Sequence, residues 1–171
     1  MELKARTLVR ELMKVGVPSC PPETPAADIA RLLREKGMDA IIILDPEEGH
    51  AVGVVSHKEL VDAFVRAGEG ARELTAEDIM RADVPQVPPD IPLDAALQIM
   101  RDQGTRTLFL MHHSGGATYA AAFLTYQHIL QYLAARDESD LSDLGGRAER
   151  VSPLDAFIQR RDAARKARTG Q

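Results

Sequence analysis

Residues 11–44 and 78–111 align without a gap at an offset of 67. The aligned pairs include Met13/Met80, Val17/Val84, Pro18/Pro85, Pro25/Pro92, Arg34/Arg101 and Gly37/Gly104, with Pro21/Pro88 and Pro22/Pro89 between them. Prolines and glycines fix backbone geometry rather than general polarity, so both segments are expected to follow one path. The repeat reduces a 171-residue chain to two copies of a smaller unit. One such unit, about 60 residues long, would bury little core alone, and packing two copies through their sheets is the economical solution. A ligand would then sit between the copies, or once in each.

Each copy reads as helix, short strand, helix, strand, strand, helix. The first helix is expected over Leu8–Lys14 and Ala76–Arg81, with Thr75 and Asp78 placed as an N-cap and an acidic N3 residue. Extended, proline-rich segments follow at Val17–Pro22 and Val84–Pro89. Thr24-Pro25 supplies a capping hydroxyl and a proline at the first helical position. Ala26, Ile29, Ala30 and Leu33 then mark one buried helix face, and Leu93, Ala96, Leu97 and Met100 mark the same face in the second copy. Gly37 and Gly104 close these helices.

Ala40–Leu44 and Thr107–Met111 are apolar runs expected as buried strands. Turns are expected at Asp45–His50 and His112–Ala117, then strands at Ala51–Val55 and Thr118–Leu124. The second copy carries two extra residues here, most cheaply placed in the turn or the strand ends. Helices Lys58–Ala67 and Gln127–Arg136 close the copies, with buried stripes at Leu60, Ala63, Phe64 and Ala67, and at Ile129, Tyr132 and Leu133. The pattern divides the chain into copies at 1–68 and 69–136, a linker at 137–150, and a helical tail with a basic end at 151–171.

Composition removes several classes of function. A net charge of −5 gives no overall pull toward nucleic acid or an anionic membrane. Aromatic content of 4% provides no stacking platform for single strands. The single Cys20 forbids an internal disulfide and reads as a small half-buried residue. No apolar run approaches the length of a bilayer span, and Met1–Lys4 opens no signal peptide, so a cytoplasmic location is expected. The adjacent His112-His113 would point to opposite faces of a strand, and a solvated turn is expected rather than a metal site. Nothing pairs a nucleophile with a base, and no phosphate loop of the G-x-x-x-x-G-K type occurs, so the chain is not expected to be an enzyme.

The element order with this punctuation resembles the CBS domain, named after cystathionine β-synthase, and two copies in tandem resemble a Bateman module. The matching residues are Glu11-Leu12-Met13 and Asp78-Ile79-Met80, Pro25 and Pro92, Gly37 and Gly104, and Gly53-Val54-Val55-Ser56. The second copy reads Ala122-Phe123-Leu124-Thr125, losing the glycine but keeping the hydroxyl. The resemblance covers residues 7–135 and implies an α/β (α+β) fold. Two tandem β-α-β-β-α repeats would pack with pseudo-two-fold symmetry, followed by the C-terminal helical tail.

In that family the pair commonly binds an adenine nucleotide in a cleft between the copies, and an aspartate three residues after the hydroxyl contacts the ribose. This chain has Glu59 and His128 at those positions. Glu59 keeps the carboxylate but adds a methylene, whereas His128 offers at most one acceptor. The first site is therefore expected to be the better ribose binder and the second weakened, altered or empty. Ser56 and Thr125 sit where a strand turns into a helix, a position that favours a phosphate, with Lys58, His57 and Arg106 able to add charge. Ser56 and Glu59 also form S-x-x-E, an ordinary capping box. The resemblance places the adenine against Val17 and Pro18 or Val84 and Pro85, and against Asp39, Ala40 and Ile41 or Arg106, Thr107 and Leu108.

The expected function is a free-standing regulatory module. It would bind AMP, ADP, ATP or S-adenosylmethionine as a regulatory ligand, pair into a homodimer and signal to a protein partner, without nucleic acid or membrane insertion. A structural scaffold with degenerate ligand sites is the second reading.

Overall fold

The computed structural model describes residues 7–135. The expected linker at 137–150 and tail at 151–171 lie outside the described residues. The elements run α1 (Val9–Leu12), β1 (Lys14–Val15), β2 (Ser19–Cys20), α2 (Ala26–Lys36), β3 (Ala40–Leu44), β4 (Ala51–Ser56) and α3 (His57–Ala67) in the first copy. After a 3-10 turn at Gly68–Glu73 come α4 (Ala76–Ile79), α5 (Leu93–Gln103), β5 (Thr107–Ser114), β6 (Ala117–Thr125) and α6 (Tyr126–Ala134).

The copies exchange their leading segments. β1 pairs antiparallel with β6 of the second copy, Lys14 opposite Phe123 and Val15 opposite Ala122. Arg81, the repeat mate of Lys14, bridges to Val54 of β4 in the first copy. β2 then returns to its own copy, parallel to β3. Gln86, the mate of Ser19, makes the same parallel bridge to Phe109. The two sheets therefore run β2-β3-β4 and β1-β6-β5. This is the pseudo-two-fold arrangement expected of the repeat.

The exchange also caps the long helices. Pro25 and Pro92 are the N-cap residues themselves, so α2 begins one residue later than Thr24-Pro25 suggests, and neither proline side chain can cap. The Thr24 hydroxyl instead donates to the Pro21 carbonyl at 2.8 Å. The first helical N–H groups find acceptors in the exchanged segments: Ala26 N donates to Leu74 O at 2.7 Å, and Leu93 N to Thr7 O at 2.9 Å. A helix that lacks a capping side chain thus satisfies an otherwise orphan donor across the repeat boundary. At the other end Gly37 and Gly104 both take the left-handed conformation at φ +60°, the closure expected from glycine.

Among the described residues three apolar clusters form the interior. Ile29, Leu33, Ile41, Ile43 and Val55 pack with Ala76 and Ile79 of α4. Ala96, Met100, Leu108 and Leu124 pack with Val9, Leu12 and Met13 of the first leading segment. The third cluster joins the sheets and is itself symmetric: Val17 with Val84, Ile42 with Phe109, and Val54 with Phe123. Phe109 is fully buried there. Burying such side chains contributes about 1.5–3 kcal/mol each, so neither copy keeps its core if the other is removed.

Several elements depart from the sequence reading. α1 and α4 are single turns of four residues because their neighbours join the sheets. The second hairpin absorbs its two extra residues in longer strands, leaving a Gly115-Gly116 turn. His112 and His113 therefore lie in β5, not in a turn. The His112 ring stacks on Tyr119, and His113 Nδ1 lies 2.8 Å from Thr118 Oγ1. The closing helices bury less than expected: of the α3 stripe only Ala63 is fully buried, Phe64 is 53% exposed, and Leu133 of α6 is 72% exposed.

Candidate functional site

A cavity of about 670 Å³ opens between the copies. Its walls come from the β1–β2 segment (Lys14, Gly16, Val17 and Pro18), from the end of α2 (Lys36, Gly37 and Met38), and from β6 and α6. The last pair contributes Phe123, Thr125, Gln127, His128 and Gln131. Segment exchange builds this wall. Pairing of β1 with β6 carries Lys14, Val17 and Pro18 from the first copy to the start of the second copy's last helix.

Thr125 and His128 cap α6 reciprocally. His128 N donates to Thr125 Oγ1 at 3.4 Å, and Thr125 N donates to His128 Nδ1 at 3.3 Å. An imidazole nitrogen that accepts carries no proton, so the neutral ring bears its N–H on Nε2 and keeps one donor. His128 is 9% exposed and its ring lies 5.4 Å from that of Phe123. Burial, and then the charge of Lys14, push the His128 imidazole below its ordinary pKa.

The equivalent position in the first copy is arranged differently. Glu59 Oε2 accepts from Ser56 N at 2.8 Å and from the Ser56 hydroxyl, completing the capping box. Lys58 Nζ donates to Asp62 at 2.5 Å, and that carboxylate raises the Lys58 pKa. This carboxylate and cation thus have partners within α3. Glu59 and Asp62 line a smaller cavity of about 370 Å³ together with Val65, Arg66 and Ile79.

Of the site residues picked out by the sequence, Val17, Pro18, Thr125 and His128 meet around the larger cavity. Ala40, Ile41 and Val84 are buried in the apolar clusters. Asp39 and Arg106, repeat mates, face each other across the pseudo-two-fold with Asp39 Oδ1 3.9 Å from Arg106 Nη1. His57 Nδ1 joins them at 3.4 Å from the same oxygen. The Thr107 hydroxyl is buried and lacks a hydrogen-bond partner among the described residues.

Lys14, Lys36, Gln127 and Gln131 escape a reading that treats each copy separately. One signal was available: Lys14 and Arg81 are both basic at the repeat offset. Burial raises the Cys20 thiol pKa, which leaves it a packing residue. Among the described residues no group of His, Cys, Asp and Glu is placed to hold a metal, and no helix is long and apolar enough to cross a membrane.

The sequence profile of the CBS domain matches residues 9–66 and 76–135. The uncharacterized protein MK0525 of Methanopyrus kandleri is 30% identical over 136 residues, covering 78% of this chain and 67% of that protein. The CBS-domain containing protein ATU1752 from Agrobacterium tumefaciens is similar in structure with a TM-score of 0.66 at 17% identity, over 76% of this chain and 96% of the other. The CBS domain pair of protein MJ0100, solved in complex with 5′-methylthioadenosine and S-adenosylmethionine, gives a TM-score of 0.64 at 17% identity, over 77% of this chain and 99% of the other. At those identities the likeness is one of fold. With both repeats matched and the pseudo-two-fold exchange in place, the chain belongs to the CBS domain family and carries two copies of the domain.

Proposed function

We propose that this CBS pair is a non-catalytic regulatory module that binds an adenosyl ligand in the cleft beside Thr125 and His128. This is the reverse of the sequence expectation that the Glu59 site is the better binder, because Glu59 is engaged in capping Ser56. Occupancy would pass to a protein partner as a change in how the two copies sit together. The observation that carries this reading is the cavity of about 670 Å³ walled by segments of both copies. That volume suits a nucleoside-sized ligand. A ligand touching both copies has differential affinity for their arrangements, which is what a population shift requires. The fold's likeness to the MJ0100 pair, solved with two adenosyl compounds, supports the ligand class.

A homodimer belongs to the same proposal. Val61 and Phe64 on α3, and Leu130 and Leu133 on α6, are exposed at pseudo-equivalent positions. Two copies of the chain meeting through these helices would cover both faces at once.

Thermal melts with AMP, ADP, ATP, 5′-methylthioadenosine and S-adenosylmethionine test the ligand claim. A ligand at a hundred times its Kd stabilises the fold by about 2.7 kcal/mol, which is easily seen. No shift at millimolar concentration, with no adenosyl compound released from the purified protein, rejects it. The capping of Ser56 by Glu59 favours a structural role for the first copy's equivalent position, whatever the other cleft binds.

A further inference from the structure

The cavity and the pseudo-equivalent set of positions differ in charge. Around the cavity stand Lys14, Lys36, Gln127, His128 and Gln131, and among the described residues no carboxylate lines it. Neither lysine has an ion-pair partner among the described residues. The repeat mates of those positions are Arg81, Gln103, Lys58, Glu59 and Asp62. There two carboxylates balance two cations, and Lys58 is paired with Asp62. Lys14 and Lys36 come from the exchanged β1 and the end of α2, so the charge is assembled only by the tertiary fold.

We infer that the larger cleft is selective for ligands bearing an anionic group. Phosphate or carboxylate oxygens would lie among Lys14, Lys36 and the Nε2 donor of His128, and a sulfonium-bearing ligand would be disfavoured. The inference deepens the adenosyl-binding reading and rests on it for the nucleoside part of the ligand. The physical cause is the focusing of like charge in a concave site. Two unpaired ammonium groups in a concave site gain more from an incoming anion than they would on open surface, and they repel an incoming cation. His128 strengthens the bias. An aspartate there would add a negative charge beside the ligand, whereas the imidazole adds a donor and no negative charge.

Calorimetric titration of the full chain separates the claims. The ligands are ATP, AMP, neutral 5′-methylthioadenosine, S-adenosylmethionine and inorganic tripolyphosphate, each at low and high salt. The expected order is ATP above AMP above 5′-methylthioadenosine, with S-adenosylmethionine weakest and the ATP advantage shrinking in salt. Lys14→Gln and Lys36→Gln are each expected to weaken ATP about tenfold while leaving 5′-methylthioadenosine within about twofold. Lys36→Glu, at an exposed helix end where folding is not at risk, should lower the preference further. Equal binding of ATP and 5′-methylthioadenosine, unchanged in Lys36→Glu, overturns the charge selection and leaves the adenosyl reading standing. Binding of tripolyphosphate with no adenosyl compound bound does the reverse. Absence of all binding overturns both.

Discussion

At Gly53 the backbone of β4 runs against the segment exchanged from the second copy. A Cβ there would stand 2.7 Å from Met80 Sδ and 2.9 Å from the Arg81 carbonyl oxygen. The thioether can swing aside, but the carbonyl is held by the Val54–Arg81 bridge. Gly53→Ala should therefore cost about 1–3 kcal/mol, read as a lower urea midpoint with an unchanged slope. The same position in the second copy accommodates Ala122, so the sequence shows the difference but not its cause. His128 makes a second prediction at this scale. Its folded-state pKa is depressed, so the unfolded chain binds the proton more readily. Its contribution to stability is whole above the ordinary imidazole value of about 6.5 and is lost as pH falls below that toward the folded value. His128→Gln keeps a capping side chain without the titration and should flatten this part of the pH–stability curve in urea melts. An unchanged curve would show that another group governs it.

Among the elements, the long helices α2 and α5 were the most legible. Their apolar spacing and terminal glycines depend on local periodicity and on a backbone conformation that glycine adopts readily. Their starts were misread by one position because the capping acceptor is not local. The closing helices were misread for a related reason: an amphipathic stripe has an inward face only if something covers it. On α3 and α6 the stripe is partly uncovered within one chain, with Phe64 and Leu133 exposed. If a second copy covers it, Phe64→Asp and Leu133→Asp should convert a dimer to a folded monomer by light scattering, with the circular dichroism spectrum retained. A wild-type monomer at the same concentration would reject the dimer. The caps give a smaller prediction. Thr75→Ala removes the hydroxyl that accepts from Asp78 N and donates to Asp78 Oδ2 in the capping box of α4, and should cost about 1 kcal/mol in chemical denaturation.

Across the whole molecule, the exchange of leading segments ties each copy's stability to the other. Val9 is fully buried among second-copy residues, and Ile79 is buried among first-copy residues. Val9→Asp should therefore weaken hydrogen-exchange protection first at Leu108 and Leu124, whereas Ile79→Asp should weaken it first at Ile41 and Val55. Loss of protection in the mutated residue's own copy would contradict the exchange. The wild-type chain should unfold in one transition, because the shared cluster of Val17, Val84, Phe109 and Phe123 has no other place to be buried.

The amino-acid sequence by itself determined the repeat, the element order, the apolar faces and the glycine-closed helices, since each follows from local backbone preference and periodicity. It also marked Val17, Pro18, Thr125 and His128 as residues of interest. Only the tertiary structure decided that these four share one cavity, and that Lys14 and Lys36 stand beside them. The reason is physical: β1 satisfies its backbone hydrogen bonds on β6, a strand more than a hundred residues away, and no local signal encodes which edge a two-residue strand will join.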